Sequence, residues 1–446
     1  MRAIAVVAAT LLAYAPLAPA GALAASIPAP SVESAGSTTI IQQHDSAASL
    51  IGVALIVRAG LDRETLKQNG LAALVAETIL QTPVATGSGN AAGLPLDDAI
   101  AARGGSIRFT VDPTDVRFYV EALAGDAGAV LELFRKALAA PDFSPATIRE
   151  ARVALVRQIA QNQLVALQVG LDMLNAASSG QANVGLPELG TPAALAQFHA
   201  NDVRAFYRNF YRRGGMLVSA AGRLDALPGD ALTSLTTALP EGTTTAVTAR
   251  QASLNGATHE IVTHRDIASP WLIAQYPAPR VDSQDFGPML VLAAFVRRTL
   301  SDIAQVPGVV SPTFASRSVG AVYAYDRMPA TLVLYVNGGL NGDPSRAFAT
   351  ALSIVNVLAA APLQGSIDEF KAEAAGDFAT GATTLETRAW LAAVFSRESA
   401  SPDFINRAVA SIAATTPADV QRVARRYLGN PTIALVLPRG TNLSGQ

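Results

Sequence analysis

The feature that most constrains this sequence is that its second half repeats its first at a nearly fixed interval. Phe118-Tyr119-Val120, ahead of an acidic loop and a helical pattern, matches Leu334-Tyr335-Val336 in the same setting, an offset of 216 (335 − 119). Asp202-Val203 opens a helix that runs to Phe210-Tyr211 and is followed by a strand. Asp419-Val420 opens another that runs to Tyr427 and then the strand 432–437, an offset of 217 (419 − 202). Two independent pairs at nearly one offset predict two similar domains in tandem, 38–240 and 258–446. The Thr-, Ala- and Gly-rich stretch 241–257 is the expected linker.

Within the first copy, 26–37 reads as a flexible lead-in, and 38–42 and 49–59 as an antiparallel strand pair joined by His44-Asp45-Ser46. A short helix follows from Asn69-Gly70-Leu71 to Leu80; Leu71, Leu74, Val75 and Ile79 form its buried side, and Ala73, Ala76 and Glu77 share another. The Gly87-Ser88-Gly89 loop lacks the strand before and the helix after that a phosphate cradle needs, so it reads as a plain connection. Next come a helix ended by Gly104-Gly105, strands 106–111 and 116–122, and a helix over 126–139. Pro141 to Pro145 forms a turn with an N-cap, and one long helix is expected from Ala146 to about Ala177. Thr191-Pro192 opens a further helix, Asn201-Asp202 caps another, and 216–221 closes the copy as a strand. This order predicts an α+β fold, helices banked on one face of a mostly antiparallel sheet.

Strand, polar loop, then Gly-Leu-Ala opening a helix resembles the zinc-binding helix of the insulinase (pitrilysin) peptidases, whose inverted motif is H-x-x-E-H. The likeness runs from Thr38 to about Gly440. It includes 96–105, the Pro-flanked turn entering a long helix, Leu189-Gly190-Thr191, and Asp202-Val203 to Gly222. On this resemblance the motif positions are Ala73, Ala76 and Glu77. Alanine offers a metal no lone pair, and one carboxylate does not hold a catalytic zinc. The family's third ligand, a Glu on the long helix, has no counterpart, since 151–171 contains no Asp or Glu and only Gln158, Gln161 and Gln163 stand near. The resemblance also implies two metallohydrolase-type α/β rolls facing each other across a peptide-sized chamber. The second roll would supply an Arg and a Tyr to hold substrate, but Ala304 and Ser311, around Gly308, stand at those positions. Arg298, Arg317 or Tyr323 would have to substitute for them.

Other chemistries find little support. The chain has no cysteine, which removes thiolate nucleophiles and disulfides, and its four histidines (His44, His199, His259, His264) show no ligand spacing. Asp97-Asp98, Asp368-Glu369 and Glu386 fall at helix starts, where they favour the helix dipole, and no serine-nucleophile motif is present. A net charge of −2 without basic runs argues against nucleic acid. Met1-Arg2, an apolar run to Leu17 and Ala22-Leu23-Ala24 form the pattern of a secretory signal peptide over 1–24, with no later stretch apolar enough to span a bilayer. The expectation is a periplasmic or secreted insulinase-like pseudopeptidase without metal or other cofactor. It would pair with a zinc-bearing relative, or with itself, or bind peptide between its halves. The alternatives are an active zinc peptidase with displaced ligands and a purely structural subunit.

Overall fold

The computed structural model describes residues 27–85, 93–178, 185–243, 259–304, 319–337, 353 and 366–440. The expected linker and Gly87-Ser88-Gly89 lie almost wholly outside these. The first half runs β1 (Ser31–Ala35), β2 (Thr38–His44), β3 (Leu50–Val57), α1 (Leu71–Leu80), β4 (Pro83–Val84), β5 (Leu94–Pro95), α2 (Leu96–Ala101), β6 (Ser106–Val111), β7 (Val116–Leu123), α3 (Ala127–Ala139), α4 (Pro145–Asn162), α5 (Ala166–Ser178), α6 (Pro192–Gln197), α7 (Ala200–Phe210), β8 (Leu217–Gly222) and α8 (Ala231–Thr236). The second runs β9 (His259–Arg265), β10 (Trp271–Pro277), α9 (Phe286–Ala304), β11 (Val319–Ala324), β12 (Thr331–Asn337), α10 (Asp368–Gly381), α11 (Leu385–Ser399), α12 (Phe404–Ala414), α13 (Pro417–Tyr427) and β13 (Thr432–Pro438).

Each half builds one large sheet, beside which β4 and β5 pair separately in the first half, and the two large sheets share a strand order. The first is β1-β2-β8-β3-β7-β6, with β2 and β8 parallel and the other pairs antiparallel. The second is β9-β13-β10-β12-β11, which matches the first from β2 onward, with β9 and β13 parallel and the other pairs antiparallel. The repeat is therefore a repeat of topology. Tyr119 lies opposite Ala54 on β3, and Tyr335 opposite Ile273 on β10. Asp202 and Asp419 likewise hold one position, each accepting at the start of its helix from a backbone N–H three residues back, His199 at 2.8 Å and Thr416 at 3.0 Å.

Several local expectations change. The lead-in contains an edge strand, since 31–35 pairs with β2. The strands β2 and β3 do not pair; β8 lies between them, bonded to both. All six residues of β8 are buried, so it takes an interior position, and the connection 45–49 is long enough to step across it. Residue 199, not Asn201-Asp202, is the N-cap of α7, with Asp202 one turn inside. The long helix over 146–177 is two helices, broken at 163–165, where Leu164 is 72% exposed.

That break redirects the chain. While α4 stays with the first half against α1, α5 crosses to lie on β13 and β10 of the second sheet. The second half does the reverse, as α11 lies on β8, β3 and β2 of the first sheet. Helices are thus not confined to one face: each sheet carries its own helices on one side and a helix from the other half on the opposite side. Both crossings are close. A Cβ on Gly170 of α5 would fall 2.1 Å from Ile273 Cδ1, and one on Gly52 of β3 would fall 2.3 Å from Tyr119 Oη and 2.9 Å from Leu385 Cβ. Ion pairs fasten α11 further, Arg388 to Asp45 at 2.7 Å, Arg397 to Asp115 at 2.5 Å and Glu386 to Arg108, while Arg117 sits 3.9 Å over the Trp390 ring.

Gly52→Ala is expected to lower stability by about 2 kcal/mol, because a fixed ring and a helix Cβ must both retreat. Gly170→Ala is expected to cost less, since only the free end of Ile273 stands in the way. Urea unfolding of both variants tests this; the reverse order would mean that α11 is the looser of the two crossings.

Candidate functional site

Helix α1 is set by groups upstream of it. Gly70, its N-cap, has φ +99, a left-handed conformation natural to glycine. The Glu64 carboxylate replaces a conventional cap, accepting from Ala72 N at 2.7 Å, Gly70 N at 3.1 Å and Asn69 Nδ2 at 3.1 Å. Asn69 Nδ2 also donates to Pro187 O at 2.9 Å, tying the helix start to the loop before α6. Burial pushes Glu64 up to about 7, against the pull of its hydrogen bonds. Nothing in the periodicity singled out Glu64; the one available signal was an acid shortly before an Asn-Gly helix start, and Asp62 shares that signal.

All ten residues of α1 are buried, so the side expected to carry Ala73, Ala76 and Glu77 as a separate face is covered as well. The helix packs against α4, α7 and β6, and Ala73 and Ala76 are 0% exposed in the main core of the first half. Glu77 is 7% exposed, and its Oε1 accepts from Gln81 Nε2 at 2.9 Å. Loss of hydration pushes its carboxyl up to about 7, with a smaller push from the Asp97 charge. A carboxyl so placed can hold a proton near neutrality, with the Gln81 carboxamide as its hydrogen-bond partner and the Asp97 charge nearby. On α4, the face turned inward is Thr147, Ile148, Ala151 and Leu155, while Gln158, Gln161 and Gln163 are exposed. The structure therefore does not bring these glutamines to Glu77.

The histidines are scattered, on β2, ahead of α7 and on β9, with His44, His199 and His264 exposed. Among the described residues no group of three or more His, Cys, Asp or Glu could hold a metal ion. Asp97, Asp98, Asp368, Glu369 and Glu386 do occupy first turns of helices. In the second half, 305–318 lies outside the described residues, and with it Gly308, Ser311 and Arg317. Arg298 is engaged by Glu369 at 2.5 Å, and the Tyr323 hydroxyl donates to Pro279 O within an aromatic cluster around Phe286. The Tyr323 hydroxyl is thus committed to the backbone, while Arg298 is held only by an exposed ion pair.

Between the halves lies a cleft of about 370 Å³, a size suited to a few side chains. Its walls are Leu61, Pro113 and α5 from the first half and parts of β10, β11 and β12 from the second. Arg327 Nη1 donates to Glu188 Oε1 at 3.0 Å across the seam. Two α+β halves of one strand order, each carrying a helix from the other, thus line one cleft.

Residues 39–192 match the model of the insulinase family (peptidase family M16). The matched stretch contains no H-x-x-E-H sequence. Solved structures of similar fold include a protease from Helicobacter pylori (12% identity, TM-score 0.72, 92% of this chain and all of that one). Another is a peptidase M16 inactive domain from Pseudomonas fluorescens (13%, 0.71, 93% and 99%). A third is a chain of complex III from Candida albicans (14%, 0.70, 92% and 95%). Subunit 1 of the mitochondrial cytochrome b-c1 complex of Caenorhabditis elegans is 25% identical over 187 residues, 42% of this chain. That match spans 38% of the relative's own length.

Proposed function

We propose that this chain is an exported, non-catalytic insulinase-type subunit that joins a zinc-bearing relative and contributes a peptide-binding cleft between its halves. One observation carries the reading: where this scaffold would place its metal ligands, Ala73 and Ala76 are fully buried, and the inner face of α4 holds Thr147, Ile148, Ala151 and Leu155, with no His, Asp or Glu among them. Likeness to an inactive peptidase domain and to subunits of a respiratory complex supports a role as one member of an assembly. Export rests on the signal-like residues 1–24.

The purified chain is expected to contain less than stoichiometric zinc and to leave an unstructured peptide uncut, with or without a chelator. Co-purification from its source is expected to bring down a partner that carries H-x-x-E-H. Stoichiometric zinc, or chelator-sensitive cleavage abolished by Glu77→Gln, would instead establish an active enzyme with displaced ligands. A complex with no peptide affinity, with or without the partner, would leave a purely structural subunit.

A further inference from the structure

A second cavity, of about 420 Å³, opens beside the cleft, bounded by the elbow between α4 and α5 and by the loop 187–192. The two meet at Gln168 and Glu188, which line both, so together they make one groove. Its second part is walled by Val156, Ile159 and Leu189, and into it come two carboxylates, Asp172 and Glu188. Their compensation is uneven. Arg327 bonds Glu188 from the first cavity, and Asp172 receives one neutral donor, Gln168 Nε2 at 2.8 Å. Arg327 also lies in the field of Asp112 and Asp326, so its one charge is divided among several acids. Burial raises the Asp172 carboxyl, and the Gln168 hydrogen bond and the Arg327 charge offset that rise only in part.

We propose that this groove docks an apolar segment bearing one cation, an amine or guanidinium seated between Asp172 and Glu188 with its aliphatic stem along Val156, Ile159 and Leu189. The inference rests on the reading of the seam as a peptide cleft and names the chemistry selected there. Apolar walls leave the stem dry, while the two acids supply a charge-assisted hydrogen-bond partner that a neutral or acidic side chain cannot use. The same chemistry is presented by a Lys or Arg side chain of a peptide and by a free alkylamine.

The test is equilibrium binding of labelled, unstructured peptides, identical but for a central Lys, Gln or Glu among Ala and Leu, to the full chain lacking 1–24. The Lys peptide is expected to bind roughly tenfold more tightly than the Gln peptide at low salt, the Glu peptide more weakly still. The margin should shrink in 0.5 M salt, a readout that needs no variant. Asp172→Asn alone, which keeps the bond between Arg327 and Glu188, should shrink the Lys peptide's advantage over the Gln peptide severalfold. Competition by millimolar butylamine would identify a free amine as a sufficient ligand, and its failure would assign the site to peptides. Equal affinity for all three peptides would overturn the cation site while leaving a peptide cleft in place. Binding of none of them would overturn the peptide cleft itself, and this proposal with it.

Discussion

Substituting Ala73→His, Ala76→Glu and Glu77→His together is expected to unfold the first half rather than to restore a zinc peptidase. Ala73 and Ala76 have no exposed surface, and the helix carrying them is enclosed by α4, α7 and β6. An imidazole and a carboxylate inserted there must displace packed side chains, at about 1–3 kcal/mol each, and leave polar atoms without partners at a similar further cost. The sum is on the order of 5 kcal/mol or more, comparable with the whole stability of an ordinary domain. Zinc would not recover it, because α4 offers only Thr147, Ile148, Ala151 and Leu155 on its inner face. Circular dichroism melts with metal analysis of the soluble fraction check this. A cooperative fold holding one zinc per chain would show that the cavity was merely closed and not lost.

Changing Glu77→Gln alone is expected to stabilise the protein, by about 3 kcal/mol above neutrality and hardly at all in acid. The Glu77 carboxyl is raised from an ordinary value of 4.5 to about 7, chiefly by burial. Below 4.5 it is protonated whether the chain is folded or not, and it does not disfavour folding. Between 4.5 and 7 the unfolded chain releases the proton that the folded chain keeps, so the stability contributed by this group declines as pH rises. Above 7 both forms are ionised and the native state bears a desolvated charge; the gap corresponds to about 3 kcal/mol. Glutamine keeps an acceptor for Gln81 Nε2 and removes the charge. Urea midpoints of parent and variant at pH 4.5 and pH 8.5 isolate the effect, since Glu64, Asp62 and Asp112 shift in the same direction in both proteins. A variant less stable than its parent at pH 8.5 would mean that the ionised carboxylate has a favourable partner.

The two results would describe one history from opposite sides. The helix is a core element, and an ionised Glu77 on it is a burden on stability. Function, on this view, has moved to the seam, where Arg327 and Glu188 join the halves.

What could be read from residues alone was whatever depends on local pattern: the apolar period of α1, the stop at Gly104, the Ser144 cap, and the repetition that places Tyr119 and Tyr335 at one position of two sheets. That residues 73 and 76 are alanines, whose methyl groups offer a metal no lone pair, holds in any fold. Tertiary structure alone decided the rest. That β8 separates β2 from β3, that the helix breaks at 163–165, and that α5 and α11 cross to the opposite sheets depend on which apolar surfaces meet. Such surfaces come from residues more than a hundred positions apart, and burial is non-directional, so sequence spacing carries no record of the partner. The seam's charges were hidden for the same reason: Arg327 and Glu188 stand 139 residues apart, and only the packing of two whole sheets brings them within hydrogen-bonding distance.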